Sequence, residues 1–389
     1  MKKVFIVGIG QTPVSKGRDQ RGRYMARDAI QAALADSTVD PSDVSALFVG
    51  NMMAGILGHQ QQLGPLYADA AGLRGIESMT LEAACGSGAA AARVGYAAVA
   101  GGLHDLVVVC GMERMTQAPR EDITLALATA ADWELEGVRG ESFISLNARL
   151  MALYMEEYGT RPEQFAPFAI AAHSNAMHNP NALLKKPLDL DKYLESRVLV
   201  PPVRIMDAPP TCDGAAALVL AGEDVVKALG EHAAQPIEIV ASAVGTDSLA
   251  IDRRTDKLKL AGAEISSNKA YRQAGVGPAD IDLFELHDAY TIITTLSLEA
   301  AGFAKPGEGT RLGEEGVTAI DGKLPIATMG GLKARGHPVG ATGVYQLVET
   351  VQQLTGRAGE NQIENAETAM VQNIGGTGAT VVTHILRAQ

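Results

Sequence analysis

The chain opens with hydrophobic patterns that predict a strand followed by a helix. Residues Lys3–Ile9 are rich in β-branched and apolar side chains, which is typical of a buried strand, and Met25–Ala35 place apolar side chains at helical spacing. A turn signal and a second predicted strand follow in Asp40–Asn51. The apolar run in His104–Gly111 favours a central strand that is covered on both faces. These patterns predict an α/β fold.

The opening pattern returns in the second half of the chain. Three pairs of segments correspond: Val4–Pro13 with Ile237–Asp247, Asp40–Asn51 with Gly277–Asp288, and Leu81–Ala92 with Leu332–Gly343. Three matches in the same order predict an internal duplication. Each half is then a mixed sheet with helices on its faces, and we expect the two α/β halves to pack about a pseudo-twofold axis.

A segment within the first half has a different character. From Met115 to Met206, charged helical stretches alternate with a passage rich in Pro, Asn and Lys, and the buried-strand pattern resumes at Asp207–Ala221. We interpret this segment as an insertion. The predicted organisation is a first half made of residues 1–114 and 207–232, an insertion at 115–206, and a second half at 233–389.

Composition then limits the classes of function. The 389 residues are 47% hydrophobic with a net charge of -12, which is typical of a soluble globular protein and gives no basic footprint for nucleic acid or an anionic membrane. No uncharged apolar stretch reaches the roughly 20 residues that cross a bilayer, and the N-terminus resembles a strand more than a signal peptide. Three widely spaced cysteines predict neither a disulfide framework nor a metal site. We therefore expect a cytoplasmic protein.

The candidate chemistry centres on Leu81–Ala92, where Cys85 precedes a glycine turn and an alanine-rich helix. A thiol at the start of a helix lies near unsatisfied N–H groups and the positive end of the macrodipole, and both favour the thiolate. Isolated cysteines are more often buried and inert, as we expect for Cys110 and Cys212. A nucleophilic role for Cys85 therefore requires partners elsewhere in the chain.

Two histidines are candidates for these partners. His287 directly follows a predicted strand, and His337 lies in a glycine-rich turn before a helix. Both are strand-to-helix junctions, where α/β sheets usually place their active sites. Because a duplication brings equivalent loops together, we expect Cys85 to face the loop that carries His337. An imidazole near a thiol and donors aimed at a developing oxyanion are what acyl transfer needs.

Five motifs make the whole chain resemble the thiolase superfamily: ACGSG at 84–88, DGAAALVL at 213–220, HDAY at 287–290, GGLKARGHPVGATG at 330–343 and NIGGTG at 373–378. Ordinary thiolases have Asn-Glu-Ala-Phe in place of HDAY, so the chain is similar to the branch of sterol-carrier-type and archaeal-type acetoacetyl-CoA thiolases. The resemblance implies a layered αβαβα fold in which the insertion is a loop domain over the CoA site. It also implies acetyl-CoA C-acetyltransferase activity, with coenzyme A as substrate and no cofactor or metal.

The resemblance further implies roles for single residues. Cys85 takes the acyl group, His337 receives the thiol proton, and the backbone N–H groups of Cys85 and Gly375 form an oxyanion hole. Asn373 stands where ordinary thiolases have a second cysteine that exchanges a proton with the α-carbon, and an amide cannot abstract a proton. Since an ordinary imidazole has a pKa of about 6.5, we expect His287 to be this base, a donor in the oxyanion hole, or both at different steps.

Two alternatives stay open from the sequence. One is a non-thiolytic condensing enzyme or acyltransferase that uses the Cys-His-His set, and the other is a partner-dependent subunit of a multi-enzyme CoA complex. The resemblance implies a homodimer or homotetramer in which Met52–Leu63 reaches a neighbouring subunit. It also implies association with HMG-CoA synthase and with a small OB-fold, zinc-ribbon protein. Neither nucleic acid nor a membrane is an expected partner.

Overall fold

The computed structural model describes residues 2–17, 19–230 and 235–389, so the predicted boundary between 232 and 233 lies outside the described residues. Its strands are β1 Val4–Gln11, β2 Ala46–Gly50, β3 Glu77–Leu81, β4 Leu106–Glu113, β5 Val198–Val200, β6 Val203–Arg204, β7 Gly214–Gly222, β8 Ile237–Thr246, β9 Leu283–Glu285, β10 Thr368–Gly375 and β11 Thr380–Arg387. Its α-helices are α1 Gly22–Ser37, α2 Ala54–Leu57, α3 Leu63–Ala71, α4 Ser87–Ala100, α5 Arg120–Ala128, α6 Phe143–Tyr158, α7 Ala166–Ala176, α8 Leu190–Glu195, α9 Glu223–Leu229, α10 Ala261–Ala274, α11 Thr291–Ala300, α12 Gly309–Glu314 and α13 Thr342–Leu354.

The two halves of the main sheet meet where β1 pairs with β8. From this junction outwards the first half runs β1, β7, β4, β2, β3, and the second runs β8, β11, β10, β9, with a bridge from Phe284 to Ile326 in the place that corresponds to β3. In each half, the strand that comes first in the sequence (β1 or β8) lies at the junction, and the strand that comes last (β7 or β11) pairs with it. Because β1 and β8 are antiparallel, with Ile6 opposite Ile237, equivalent strands are related as a twofold axis requires. The predicted duplication and mixed sheet are confirmed.

Helices α4 and α13 form the central layer between these halves. They contact each other, and both contact strands of both halves. Side chains alternate along β1, so that Val4 and Ile6 join the central apolar cluster with Val344 and other residues of α13, whereas Phe5 and Val7 face the cluster formed with α1. Helix α10 covers the outer face of the second half. The layers are therefore α1, sheet, α4 with α13, sheet and α10, which is the predicted αβαβα arrangement.

Residues 114–213, between β4 and β7, form a segment that packs against the second half and that we call the cap. Leu150 and Tyr154 of α6 pack with Ile292 and Leu296 of α11, and the Tyr154 hydroxyl donates to Glu299 at 2.6 Å. Helix α7 packs against a π-helical turn at residues 331–335. The cap therefore covers the loops that precede α4 and α13.

Glycines allow the backbones of α4 and α13 to come into direct contact where the two helices cross. A Cβ atom at Gly343 of α13 would lie 2.4 Å from the backbone N of Ala89 and 2.5 Å from Oδ1 of Asn373. A Cβ atom at Gly88 of α4 would lie 2.9 Å from the carbonyl oxygen of Gly340. Real side chains do not tolerate such distances, so this crossing fixes how the halves fit together.

We expect Gly343→Ala to lower the free energy of unfolding by about 1–3 kcal/mol, because the added methyl group must push rigid backbone apart. Chemical denaturation measures the loss. The matched control is Gly277→Ala, where the Cβ would meet only Oδ2 of Asp280, at 3.9 Å, and where the change stays within about 0.5 kcal/mol. Equal stability of the two variants would contradict the role given to the crossing.

Candidate active site

A cavity of about 660 Å³ lies between the cap and the loops of the two halves. Cys85, His287 and His337 all line it, so the structure brings the three predicted catalytic side chains into one site. The two imidazole rings meet edge to face, with centroids 5.0 Å apart. Apolar side chains of the cap line much of the remaining wall: Met115, Ile123, Leu127, Phe143 and Ile144.

A tight turn holds Cys85 at the end of the loop from β3 to α4. Ala84 has φ 52°, a left-handed conformation that costs an L-residue about 1–2 kcal/mol. Ser87 supports this turn, because its hydroxyl donates to the Ala84 carbonyl at 2.6 Å and accepts from the Ala83 N–H at 2.9 Å. Cys85 is thereby directed into the cavity from a rigid backbone.

The environment of Cys85 keeps its sulfur protonated. Only 6% of the residue is exposed, and this burial, helped by the negative charge of Glu113, raises the pKa of the thiol to about 12. The expectation that the helix start favours the thiolate is therefore wrong, since desolvation outweighs the effect of the N-terminus of α4, which begins two residues later at Ser87. A nucleophilic role for this thiol therefore requires a neighbouring base.

Each histidine is oriented by one polar neighbour. Nδ1 of His337 lies 2.7 Å from the hydroxyl of Thr342, the first residue of α13. Nδ1 of His287 lies 3.0 Å from Nδ2 of Asn373. An amide nitrogen only donates, so Nδ1 of His287 accepts and Nε2 carries the proton.

Both imidazoles are neutral at physiological pH. Burial lowers the pKa of His287 to about 3, and the positive charges of Lys333 and Arg335 act in the same direction. Burial, together with His287, Arg335 and Lys333, lowers the pKa of His337 well below its ordinary value. The expected ordinary pKa of His287 is therefore wrong, because the desolvation of a fully buried ring was not visible in its sequence context.

The end of β10 lies behind the site. Asn373 is fully buried and contacts His287, while Gly375 packs on the Cys85 turn so closely that a Cβ atom would lie 2.2 Å from the Ala83 carbonyl oxygen. From this loop it is Gly376 that lines the cavity. Asn373 thus supports a catalytic candidate from outside the cavity.

Glu113 is a buried residue that the sequence did not single out. Its carboxylate accepts from the backbone N–H groups of Met52, Met53 and Gly340 at 3.0 to 3.1 Å and from the side chain of Asn51 at 3.0 Å. Burial raises its pKa to about 7. It joins a loop of the first half to the loop of His337, and the available signal was a charge at the end of an apolar strand.

Lys333 and His173 also line the cavity. The sequence predicts His173 only as a residue at the surface or near CoA, and it does not single out Lys333. Lys333 is 1% exposed, its ammonium donates to the main-chain oxygen of Asp288, and burial lowers its pKa to about 8. Nδ1 of His173, in α7, donates to the carbonyl of Lys186 at 3.0 Å. The signal for Lys333 was a charge inside the glycine-rich GGLKARGHPVGATG, a motif that we interpreted only through its histidine.

Other candidate chemistry is limited in the part of the chain that the structure describes. Within it, no group of three or more His, Cys, Asp or Glu side chains is placed to hold a metal ion. No described helix has the length and apolar character to cross a membrane. Cys110 and Cys212 are fully buried in the apolar clusters, as expected.

The sequence matches the thiolase N-terminal domain family over residues 4–189 and the thiolase C-terminal domain-like family over residues 243–388. An acetyl-CoA acetyltransferase of Methanothermobacter thermautotrophicus is 41% identical, with 99% of each chain covered. The chain belongs to the thiolase family. The acetyl-CoA acetyltransferase of Methanocaldococcus jannaschii is 36% identical over 99% of both chains, and sterol carrier protein 2 of Gallus gallus is 33% identical over 98% of this thiolase and 71% of its own length.

A solved structure of an Ltp2-ChsH2(DUF35) aldolase superposes with a TM-score of 0.86 over 99% of this chain and 98% of its own, at 24% identity. At that identity the likeness concerns the fold. Together with the relatives, it confirms the predicted thiolase fold and the similarity to the archaeal-type and sterol-carrier-type branch.

We predict that iodoacetamide labels Cys85 in the folded protein and spares Cys110 and Cys212, because only Cys85 lines the cavity. The labelling rate should rise about tenfold per pH unit from pH 7 to 10, as the thiolate fraction of a thiol with a raised pKa does. Peptide mass spectrometry measures both, with Cys85→Ser as control. A rate that is flat over this range would show a thiolate already formed at neutral pH.

Proposed function

We propose that this thiolase is an acetyl-CoA C-acetyltransferase, also called acetoacetyl-CoA thiolase. It carries out the reversible Claisen condensation of two acetyl-CoA molecules, or the thiolysis of a 3-oxoacyl-CoA, through an acyl-Cys85 intermediate. The observation that carries this proposal is the convergence of Cys85, His287 and His337 on one cavity. The acetyl-CoA acetyltransferases at 41% and 36% identity support the choice of substrate.

In the first half-reaction His337 is the base. Its Nδ1 is hydrogen-bonded to the Thr342 hydroxyl, and we assign the ring proton to this Nδ1. Nε2 then takes the proton of the Cys85 thiol as the sulfur attacks the thioester carbonyl of acetyl-CoA. Because the pKa of His337 is lowered, its imidazolium is a strong acid that passes the proton to the departing CoA thiolate. The proposed donors to the oxyanion are the backbone N–H groups of Cys85 and of the loop at the end of β10, where Gly375 packs on the Cys85 turn and Gly376 lines the cavity. A well-placed donor contributes roughly 3–4 kcal/mol.

In the second half-reaction His287 is a donor. Its protonated Nε2 binds the thioester oxygen of the second acetyl-CoA, where charge develops when the α-carbon loses a proton. The enolate attacks the carbonyl of acetyl-Cys85, and the sulfur leaves as thiolate. Asn373 fixes the tautomer that makes His287 a donor, so the proposed role of this amide is positioning.

The cavity also has the features that a CoA thioester requires. Three exposed basic side chains line the cavity and could bind the phosphates of CoA: Lys16, Arg120 and Arg197. The apolar wall supplied by the cap suits the pantetheine arm and a short acyl chain. Coenzyme A is substrate and product, and the reaction needs no further cofactor. The three cysteines are free thiols, which fits our expectation of a cytoplasmic protein.

The first test is to incubate the purified protein with acetyl-CoA and to measure its intact mass. We expect one acetyl group, located on Cys85 by peptide mapping, and cleavage of acetoacetyl-CoA by free CoA in the same preparation. Cys85→Ser should show neither. A wild type without an adduct would overturn the proposed function, and an adduct without thiolysis would favour the condensing-enzyme or partner-dependent alternatives.

Two variants separate the half-reactions within this experiment. We expect His337→Gln to slow acetylation by about 10²- to 10⁴-fold, because the base is gone. His287→Asn should stay within about tenfold of the wild type in acetylation and lose about 10²- to 10³-fold in condensation, because one oxyanion donor is missing. Equal effects of both variants on both steps would contradict the assigned roles.

We further propose a homodimer or homotetramer, and association with HMG-CoA synthase and a small OB-fold, zinc-ribbon protein. Ile56 in the predicted interface segment Met52–Leu63 is 46% exposed in the single chain, although it is a large apolar residue. Light scattering should give two or four times the chain mass of 40.6 kDa, and Ile56→Asp should shift it towards the monomer. A monomeric wild type would refute the oligomer.

A further inference from the structure

The second half-reaction needs a group that takes a proton from carbon, and the residues discussed so far do not supply it. His287 holds its proton on Nε2, its Nδ1 is occupied by Asn373, and its pKa is about 3. Asn373 is an amide, and Cys85 is acylated at this stage. Burial raises the pKa of Tyr290, another lining residue, above its ordinary value. Each of these is a poor base at neutral pH.

Lys333 is a buried amine in the wall of the same cavity. Its Nζ is held in place by the main-chain oxygen of Asp288, the residue that follows His287. The amine is therefore fixed beside the loop that carries His287, the proposed donor to the second thioester.

The charge of this lysine has no close counter-ion. Among the described residues, no carboxylate lies within the 4.0 Å of an ion pair with Lys333. Two carboxylates act on its charge from beyond this distance. Asp207 accepts from Tyr193 at 2.6 Å and from Thr291 at 2.5 Å, whereas Asp288 accepts from the Leu332 N–H at 2.7 Å through Oδ1 and leaves Oδ2 without a hydrogen-bond partner. Burial without an ion-pair partner disfavours the ammonium relative to the neutral amine, even though the ammonium donates one hydrogen bond to a main-chain oxygen. The site thus favours proton loss from Lys333.

We propose that Lys333 is the residue that exchanges the proton with the α-carbon, an inference that rests on the proposed function. In condensation its neutral amine takes a proton from the methyl group of acetyl-CoA, and the C–H electron pair becomes the enolate. The enolate forms the new carbon–carbon bond as Cys85 leaves as thiolate, and the ammonium then returns the proton to this sulfur through His337. In thiolysis the ammonium protonates the enolate that carbon–carbon cleavage releases.

The electrostatic surroundings agree with this role. Burial lowers the pKa of Lys333 to about 8, which suits a general base near neutral pH. The charged and titratable groups that face it come from several elements: His173 of α7, Asp207 before β7, His287 and Asp288 after β9, and Arg335 and His337 on its own segment. The two carboxylates oppose the shift, and desolvation exceeds their effect.

The test is deuterium uptake into the methyl group of acetyl-CoA in D₂O, catalysed by enzyme already acetylated on Cys85. We expect Lys333→Met and Lys333→Arg to lose about 100-fold or more in uptake, because neither side chain is a base at neutral pH. Both should still be acetylated on Cys85 within about tenfold of the wild type. Lys323→Met, at an exposed lysine, is the matched control and should not change uptake. Thermal unfolding checks folding, and Lys333→Met should be at least as stable as the wild type because it removes a buried charge.

The dependence of deuterium uptake on pH distinguishes Lys333 acting as a base from Lys333 acting only as a positive charge. A base acts when deprotonated, so wild-type uptake should rise as the pH rises through about 8. A fall over this range together with full uptake in Lys333→Arg would assign a purely electrostatic role and overturn the proposal. Full uptake in Lys333→Met would overturn it too, and so would loss in His173→Gln with no loss in Lys333→Met. Absence of any acetyl on wild-type Cys85 would instead overturn the proposed function.

Discussion

The close crossing of α4 and α13 is the constraint on which the rest of this structure depends. Each helix follows a loop that carries one half of the chemistry, Cys85 before α4 and His337 before α13. Because Gly88 and Gly343 let backbone meet backbone, the two loops come together from segments that are far apart in the sequence. The carboxylate of Glu113 then ties the His337 loop to the first half through the Gly340 N–H. Helix packing and one buried anion thus place the proposed nucleophile and its proposed base at the same cavity.

Desolvation determines the protonation states of the titratable side chains in the cavity. The cap and the two halves bury these side chains, so the thiol stays protonated, both imidazoles stay neutral, and Lys333 loses its proton more easily than a lysine in water. Neutral groups are the resting state that proton-transfer chemistry needs, because charge then appears only as the reaction proceeds. The same low polarity strengthens each hydrogen bond to a developing oxyanion.

The fold and the convergence of Cys85, His287 and His337 were predictable because both follow from patterns that repeat along the sequence. Duplication repeats a pattern of strands, turns and glycines, and Cys85 and His337 lie at corresponding places in that repeat. The protonation states were not predictable, since they depend on burial that residues from the cap and from both halves create together. Lys333 and Glu113 were missed for the same reason. Each is a single charge in a glycine-rich or apolar stretch, and its burial, contacts and protonation state depend on neighbours that only the fold brings together.

The packing of Gly375 on the turn that holds Cys85 has a consequence for the order of assembly. One partner of this contact lies in the first quarter of the chain, and the other arrives with β10, near its end. Strand β1 likewise stays exposed along one edge until β8 has been made. During synthesis on the ribosome, the turn that carries Cys85 therefore lacks this contact until almost the whole polypeptide has emerged, and such long-range closure is slow. The candidate active site is completed among the last features of the fold.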